Sequence, residues 1–564
     1  MGRLLIFILG VLFAVHPAEA GGSRPTVKSK HGMVVSSHYL ASEAGIAVLK
    51  KGGNAVDAAI ATGLALAVVH PAAGNIGGGG FMIVYKNDGT VTAFDFREKA
   101  PAAAHARMYV DAEGNYVRDL NHEGYLSVGV PGTVAGFDLA FKKFGTRSWK
   151  DLIAPAVRLA EEGFPLSWSM ADDFKALRDD FLRYPASAKV FLKKDTILHE
   201  PGTVWKQPDL AKTLKRIQRN GRDGFYQGET AKLLALDMKR NGGLITEADL
   251  AAYEAKERAP VRGTYRGYEV ISMAPPSSGG VAVIEMLNIL EGFDLHSYGH
   301  NSAQYIHVLT EAMRLAYADR ARHLGDPEFN PDIPVAMLTS KEYAENLRKM
   351  ISLNRAGKSD LAPFAESHES SETTHYSVID AEGNAVVVTY TLEYGYGSRI
   401  VADGLGFLYN NEMGDFNPVP GLTDSTGKIG TLPNRVAPGK RMLSSMTPTI
   451  IAKEGKPWVL IGTPGGRTII NTVLQIVLNV IDFNMNIAEA IDAGRFHHQW
   501  FPDVLRIEKY STTQDSRRLL EMMGHRVVTI GGQGSAMGIL IDPQTGIRHG
   551  SADPRAGDAR AVGY

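Results

Sequence analysis

The stretch Thr373-Thr374-His375-Tyr376-Ser377-Val378-Ile379-Asp380, Ala381-Glu382-Gly383-Asn384, Ala385-Val386-Val387-Val388-Thr389-Tyr390-Thr391-Leu392 decides how the chain folds. Both arms are rich in β-branched and aromatic residues, and Glu-Gly-Asn between them is turn chemistry, so the segment reads as a β-hairpin. Centred near Glu382, the hairpin sets Thr391 opposite Thr373 with both hydroxyls on one face, because side chains alternate along a strand. Just upstream, Glu366-Ser-His-Glu-Ser-Ser-Glu372 is polar and short of core-forming residues, as an exposed and cleavable segment is. A threonine at a strand mouth, after such a segment and facing a second hydroxyl, fits a self-processing hydrolase whose freed α-amine serves as base. Threonine also enters strands for packing alone, so the rest of the chain has to decide.

Length by itself admits roughly three or four domains. With 44% hydrophobic and 21% charged residues, a large core is available. The net charge of −1 gives no reason to expect nucleic acid or an anionic membrane as partner. Cysteine is absent, which excludes disulfides, thiolate metal sites and a cysteine nucleophile. Residues 1–20 read as a secretory signal: Arg3, an apolar run from Leu4 to Val15, then Ala18-Glu19-Ala20 as a small-x-small cleavage site. That run is too short to span a bilayer, and no later stretch is apolar enough for a membrane helix. The reading is an exported chain starting at Gly21, without a membrane anchor, and periplasmic in a Gram-negative host.

Along the chain, Ser42 to Lys51 reads as a helix closed by Gly52-Gly53, and Asn54 caps a second helix from Ala55 to Val69. The second is apolar nearly all round and reads as buried. Gly77 to Gly80 then lead into a strand from Phe81. They lack the Gly-Lys-Ser/Thr of a phosphate loop, and they precede a strand where a dinucleotide fingerprint follows one, so both nucleotide readings are rejected. Residues from about Trp149 to Asn354 read mainly as amphipathic helices. One starts at the Asn301-Ser302 cap and presents Ile306, Leu309, Met313 and Ala316 on one face. Tyr265 to Met273 reads as one strand. After the hairpin, Thr447–Ala452, Trp458–Ile461, Leu505–Glu508, Val527–Ile530 and Gly538–Ile541 read as strands, and Thr468–Phe483 and Gln514–Met523 as helices. The polar, Pro/Gly-rich connection from Asn417 to Lys440 is long enough to be a functional loop. With strands on both sides of Thr373, an α+β layered fold with two packed sheets between helical layers accommodates the chain better than separate domains.

Three features of the second half suit a ligand bearing an ammonium, a carboxylate and a developing oxyanion. Asn410-Asn411-Glu412-Met413-Gly414-Asp415 carries two carboxylates three apart in a turn. Leu443-Ser444-Ser445-Met446 carries two hydroxyls before a strand. Gly462-Thr463-Pro464-Gly465-Gly466-Arg467 offers consecutive glycine N–H groups before a helix, an anion-friendly arrangement. Each alone has a bland alternative as surface carboxylates, a serine cap or a glycine turn.

Taken together, Thr373-Thr-His-Tyr-Ser-Val, Gly383-Asn, Thr389-x-Thr391-Leu-Glu393 and Tyr396-Gly resemble the γ-glutamyltranspeptidase signature. Asn410 to Phe416, Leu443 to Met446, Thr463 to Gly466 and Arg495 to Trp500 extend the likeness. His70 to Phe81 and Phe94 to Glu98 carry it into the first half. It covers nearly all of the chain after residue 20, with Val387 a mild departure where the family more often has a small residue. The resemblance implies an N-terminal-nucleophile hydrolase with a four-layer αββα sandwich of mainly antiparallel sheets. It implies a precursor that cuts itself between Glu372 and Thr373 into a large subunit (21–372) and a small one (373–564), a heterodimer sharing one fold. It implies Thr373 as nucleophile and α-amine base, Thr391 as its orienting partner, and the N–H groups of Gly465 and Gly466 as oxyanion hole. Arg97, Ser444 and Ser445 would hold the α-carboxylate of a γ-glutamyl group, and Glu393, Glu412 and Asp415 its α-ammonium. The implied donors are glutathione and related γ-glutamyl compounds, the implied acceptors water, amino acids or dipeptides, with no cofactor and no metal. His497-His498 lacks a third ligand at suitable spacing and reads as structural. Many family members carry asparagine at the position of Glu393 and others glutamate. The 417–440 loop sits where relatives carry a lid and contains no aromatic residue. The runner-up is a glutaryl- or cephalosporin-type acylase of the same family, whose donor lacks the ammonium.

Overall fold

The computed structural model describes residues 23–117, 120–359, 373–418 and 432–564. The signal segment, the polar segment ending at Glu372 and most of the connection between Asn417 and Lys440 lie outside the described residues.

Fourteen of the strands form two seven-stranded sheets in which every pairing is antiparallel. One sheet runs Arg560–Gly563, Met33–Ser36, Thr374–Ile379, Ala385–Thr391, Gly79–Tyr85, Val91–Asp95, Lys256–Arg258. The other runs Val27–Ser29, Arg548–Ala552, Met537–Ile541, Lys456–Gly462, Thr449–Lys453, Tyr268–Ser272, Val261–Tyr265. Neither sheet belongs to one half of the chain. Met33–Ser36 is flanked on both sides by strands from beyond residue 372, and Ala385–Thr391 pairs along its whole length with Gly79–Tyr85.

The layer order follows from which side chains share a core. Met33, Val35, Phe81, Ile83 and Val387 from the first sheet pack with Ile271, Ile450, Leu460 and Ile539 from the second, forming the seam between the sheets. Their neighbours one residue along, Val34, Met82, Val84, Val386 and Val388, point the other way and join the core built around the helix Ala55–Val69. The second sheet's outer face buries Val270, Ile451, Val459 and Ile461 with the helices Gly279–Leu290, Ala303–His323 and Thr468–Ile481. The protein is therefore an αββα sandwich, as the hairpin and the mixed origin of the strands predict. Val387 stands fully buried in the seam, so the larger side chain at that position is absorbed by inter-sheet packing.

Asn54 caps the central helix with a complete capping box to Asp57, and every residue from Ala55 to Val69 is buried. The glycines that follow are there for close approach: a Cβ on Gly78 would lie 2.1 Å from the Thr391 carbonyl oxygen. Asn75 holds this crossing, donating to the Thr391 carbonyl and accepting the Gly78 N–H, both at 2.9 Å.

Some expectations need correction. The strand read over Tyr265–Met273 is a hairpin, because Arg266 and Gly267 both take positive φ (47° and 85°) and reverse the chain into Val261–Tyr265. The helix read from Ser42 starts at Tyr39, where the His38 side chain accepts the Leu40 N–H. The Glu412–Asp415 turn follows only an isolated bridge, Val401 to Leu408, and no full strand. Leu505–Glu508 and Val527–Ile530 are strands as read, and they pair with each other in parallel in a separate three-stranded sheet.

Candidate active site

Thr373 lies immediately before the strand Thr374–Ile379 and is 6% exposed. The register pairs Thr374 with Tyr390, which brings Thr391 beside Thr373, and the two hydroxyl oxygens are 3.5 Å apart. The Thr391 hydroxyl also accepts the Glu393 N–H at 2.9 Å. Beyond the strand the backbone is held in unusual conformations: Glu393, Tyr396 and Arg399 have φ of 79°, 64° and 62°. Non-glycine residues take that region where surrounding contacts force it, commonly at functional sites.

One cavity gathers Arg97, Thr373, Thr391, Glu393, Glu412, Asp415, Ser444, Ser445 and Gly466, together with Arg320, Met446, Arg467 and Ile469. Gly465 does not line it. A second cavity of about 310 Å³ also reaches Thr373 and is bordered by His70, Asp173, Arg555 and Asp558.

Arg97 follows the strand Val91–Asp95 and is 1% exposed. Its guanidinium contacts Glu412 at 2.6 Å, Glu98 at 3.4 Å and the Asp415 carboxylate. Burial pulls the guanidinium pKa down, but the facing carboxylates of Glu412, Glu98 and Asp415 raise it overall. Burial pushes the Glu98 carboxyl up to about 8 and raises that of Glu412 strongly, against the pull of Arg97. The cation and the carboxylates assigned to opposite ends of a ligand thus touch each other. That is what a receptor for an α-amino acid needs, since ammonium and carboxylate sit on one carbon. A zwitterion can exchange with this internal pair without leaving a charge buried alone.

Asn410 positions the carboxylate turn. Its side chain donates to the carbonyls of Gly77 and Gly129 and accepts the N–H groups of Gly129 and Glu412. Glu393 is held by His122, whose Nδ1 is 3.1 Å from the carboxylate. His122 stacks on Tyr394. Gly414 permits this approach, because a Cβ there would lie 2.2 Å from His122 Nδ1.

Ser444 joins the loop before the helix Gly279–Leu290, where its carbonyl accepts from the Ser278 N–H and hydroxyl at 2.8 and 2.7 Å. The Ser444 hydroxyl accepts the Met446 N–H, and the Ser445 hydroxyl accepts from Arg320 at 2.9 Å. Each oxygen being an acceptor inward, each hydroxyl keeps its proton to donate outward. Gly465 and Gly466, with φ of 136° and 52°, lead into the helix Thr468–Ile481; their carbonyls accept from Thr468 and Ile469. Neither glycine N–H donates a hydrogen bond among the described residues.

His497 and His498 are both buried and hydrogen-bonded to neighbouring groups. His497 is bonded to Asn471 and Gln499, His498 to Asp503 and the Trp500 N–H. A different group, His307, Glu311 and His525, brings three possible metal ligands together, which the sequence reading did not single out. Its histidines hydrogen-bond each other at 2.7 Å and Glu311 accepts the Gly357 N–H, so each member has a hydrogen-bond partner. Also unanticipated are Arg320, in the wall of the main cavity, and His122, which contacts Glu393. Arg320 had a signal, since it falls on the buried face of its helix, whereas His122 sits in a loop with no periodic pattern to betray it.

Comparison with known proteins gives a consistent result. The family model described as gamma-glutamyltranspeptidase matches residues 41–563. The glutathione hydrolase proenzyme of Escherichia coli (strain K12) is 47% identical over 544 residues, 95% of this chain and 93% of its own length. Among solved structures, cephalosporin acylase from Bacillus halodurans superposes with a TM-score of 0.85 at 28% identity, covering 98% of this chain and 99% of that one. The Helicobacter pylori gamma-glutamyltranspeptidase structure is 48% identical, with a TM-score of 0.56 over 60% of this chain and 95% of its own.

Proposed function

The chain belongs to the gamma-glutamyltranspeptidase family, and from that premise we propose how it acts. It is a γ-glutamyltransferase and glutathione hydrolase, an enzyme of the N-terminal-nucleophile class made as a proenzyme. The observation that carries this reading is the single cavity in which Thr373 and Thr391 meet Arg97, Ser444, Ser445, Glu393, Glu412 and Asp415.

In this proposal the precursor cuts itself between Glu372 and Thr373, leaving subunits 21–372 and 373–564 in one heterodimer. Thr373 Oγ1 then attacks the γ-amide carbonyl and its own α-amine takes the proton. An α-amine has an ordinary pKa of about 7.7–8.0, close to working pH, so no histidine is required. Thr391 orients the attacking hydroxyl. The N–H groups of Gly465 and Gly466 receive the developing oxyanion. The leaving amine, Cys-Gly when glutathione is the donor, takes the proton back, and a γ-glutamyl ester remains on Thr373. Water, or the amine of an amino acid or dipeptide, then accepts the acyl group. Arg97, Ser444 and Ser445 hold the donor carboxylate, and Glu393, Glu412 and Asp415 its ammonium. The segment 1–20 directs export, to the periplasm in a Gram-negative host; no helix of the described residues is long and apolar enough to cross a membrane.

An acylase acting on glutaryl-type amides has the support of the Bacillus halodurans fold match. Its donor lacks an ammonium, and a cavity keeping three carboxylates around that position favours the glutamyl group.

The test is a denaturing gel with N-terminal sequencing, followed by an assay with a γ-glutamyl anilide. Two bands, the smaller starting at Thr373, together with anilide release are expected. The Thr373→Ala variant should show one band and no release; release at the wild-type rate by that variant refutes the nucleophile assignment.

A further inference from the structure

We propose that Arg320 is a positioning residue of the donor-carboxylate subsite, acting through Ser445. The proposal rests on the γ-glutamyl reading above and adds a residue to it. Arg320 lies in the last turn of the helix Ala303–His323 and is 7% exposed, yet its guanidinium reaches the wall of the Thr373 cavity. Its Nε donates to Ser278 Oγ at 2.8 Å and its terminal nitrogen to Ser445 Oγ at 2.9 Å. Ser278 in turn donates to the Ser444 carbonyl. One planar cation therefore ties both supports of the serine pair.

Two consequences follow from this geometry. First, with its oxygen engaged by Arg320, the Ser445 hydroxyl has its proton left for a ligand, so the guanidinium sets Ser445 as a donor. Second, the charged groups lining the cavity are Arg97, Arg320 and Arg467 against Glu393, Glu412 and Asp415. Arg97 is already opposed by Glu412, Asp415 and Glu98. A donor carboxylate arriving beside Arg97 has to share that cation with the carboxyl groups already on it, and Arg320, behind Ser445, places a second cation on the wall of the same cavity. Arginine suits the task because its fork fixes two oxygens at once and stays charged when buried.

The experiment compares wild type, Arg320→Ala and Arg320→Lys in steady-state turnover of a γ-glutamyl anilide. A second donor, 4-aminobutanoyl anilide, keeps the ammonium and lacks the α-carboxylate. For Arg320→Ala we expect KM for the γ-glutamyl donor to rise about 10- to 100-fold, the range for losing a charge-assisted hydrogen bond, with kcat within about threefold. Arg320→Lys keeps the charge but not the fork, so it should recover only part of the loss, and kcat/KM for the aminobutanoyl donor should be the same in all three proteins. A KM for the γ-glutamyl donor within twofold of wild type in Arg320→Ala overturns the proposal. So does a fall in kcat alone, or an equal penalty on both donors. If Arg320→Ala does not mature, Arg320→Lys and Ser278→Ala carry the same comparison, with smaller KM increases expected and unchanged KM values overturning it. Wild type measured alongside separates the two readings: no release by wild type refutes the γ-glutamyl assignment, whereas release with indifferent variants removes Arg320 alone.

Discussion

At the scale of single residues, the site is a set of charges kept in balance before any ligand arrives. Arg97 cannot be treated as a lone carboxylate receptor, because Glu412 and Asp415 already hold it. Replacing it leaves buried Glu98 and Glu412 without their cation and removes the proposed partner of the donor carboxylate together. For Arg97→Ala we expect KM for γ-glutamyl donors to rise by about 100-fold or more, with a loss of stability of roughly 3–5 kcal/mol, as for breaking a buried pair. Steady-state kinetics and urea unfolding check the two parts, and an unchanged KM removes Arg97 from the site. Thr391→Val asks about orientation instead. Valine keeps the shape but removes the hydroxyl that faces Thr373 and accepts the Glu393 N–H. We expect kcat to fall about 100-fold with KM little changed, since in the proposed role the hydroxyl serves the reacting oxygen more than the bound donor; a KM effect alone contradicts the role.

At the scale of elements, the hairpin Thr374–Ile379 and Ala385–Thr391 carries the register that places Thr391, and that was legible in the sequence because turn chemistry and alternation agree there. The helix Ala55–Val69 was legible down to its cap, since Asn54 and an unbroken apolar run leave little choice. The strands Met33–Ser36, Arg548–Ala552 and Arg560–Gly563 were not: all are four or five residues long, the first is buried throughout and shows no alternation, and in the other two glycine, alanine and arginine weaken any period-2 signal. They are strands because a neighbouring ladder recruits them. The site divides in the same way. Thr373, Arg97 and the serine pair came from motifs, whereas the contacts of His122 and Arg320 arise only when distant loops meet. The turn Glu412–Asp415 illustrates this, for Gly414 reads as an ordinary turn glycine but in space adjoins the His122 ring and the Glu393 carboxylate. Gly414→Ala should therefore push Glu393 from its proposed place beside the donor ammonium. We expect about a tenfold rise in KM for γ-glutamyl donors, with kcat less affected; a wild-type KM shows that Glu393 is not positioned through this contact.

At the scale of the whole molecule, the proposed cut before Thr373 changes covalent structure without dividing the fold. Both sheets contain strands from both sides of that point, so the two pieces share the seam and should separate only on denaturation. The shared core also determines the response to acid. Burial lowers six histidines far below their ordinary value of 6.5: His38, His70 and His498 to about 4, and His375, His497 and His525 to about 3. A group depressed in the folded state takes up protons on unfolding between its two pKa values, so the unfolded chain gains protons as pH falls from 6.5 towards 3. The stability these neutral histidines allow is thus fully present above pH 6.5 and lost progressively below it. Each contributes up to about 1.4 kcal/mol per pH unit within its window. His375 is a good probe, since its ring nitrogens bond Thr389 and Ser377 on the hairpin itself. We expect His375→Gln to be less stable at pH 7 but to lose stability less steeply between pH 6.5 and 4 than the unaltered protein, as followed by urea midpoints. Parallel slopes would place His375 outside the acid response. A shallower slope would tie acid lability to the strand pair that presents Thr373 and Thr391.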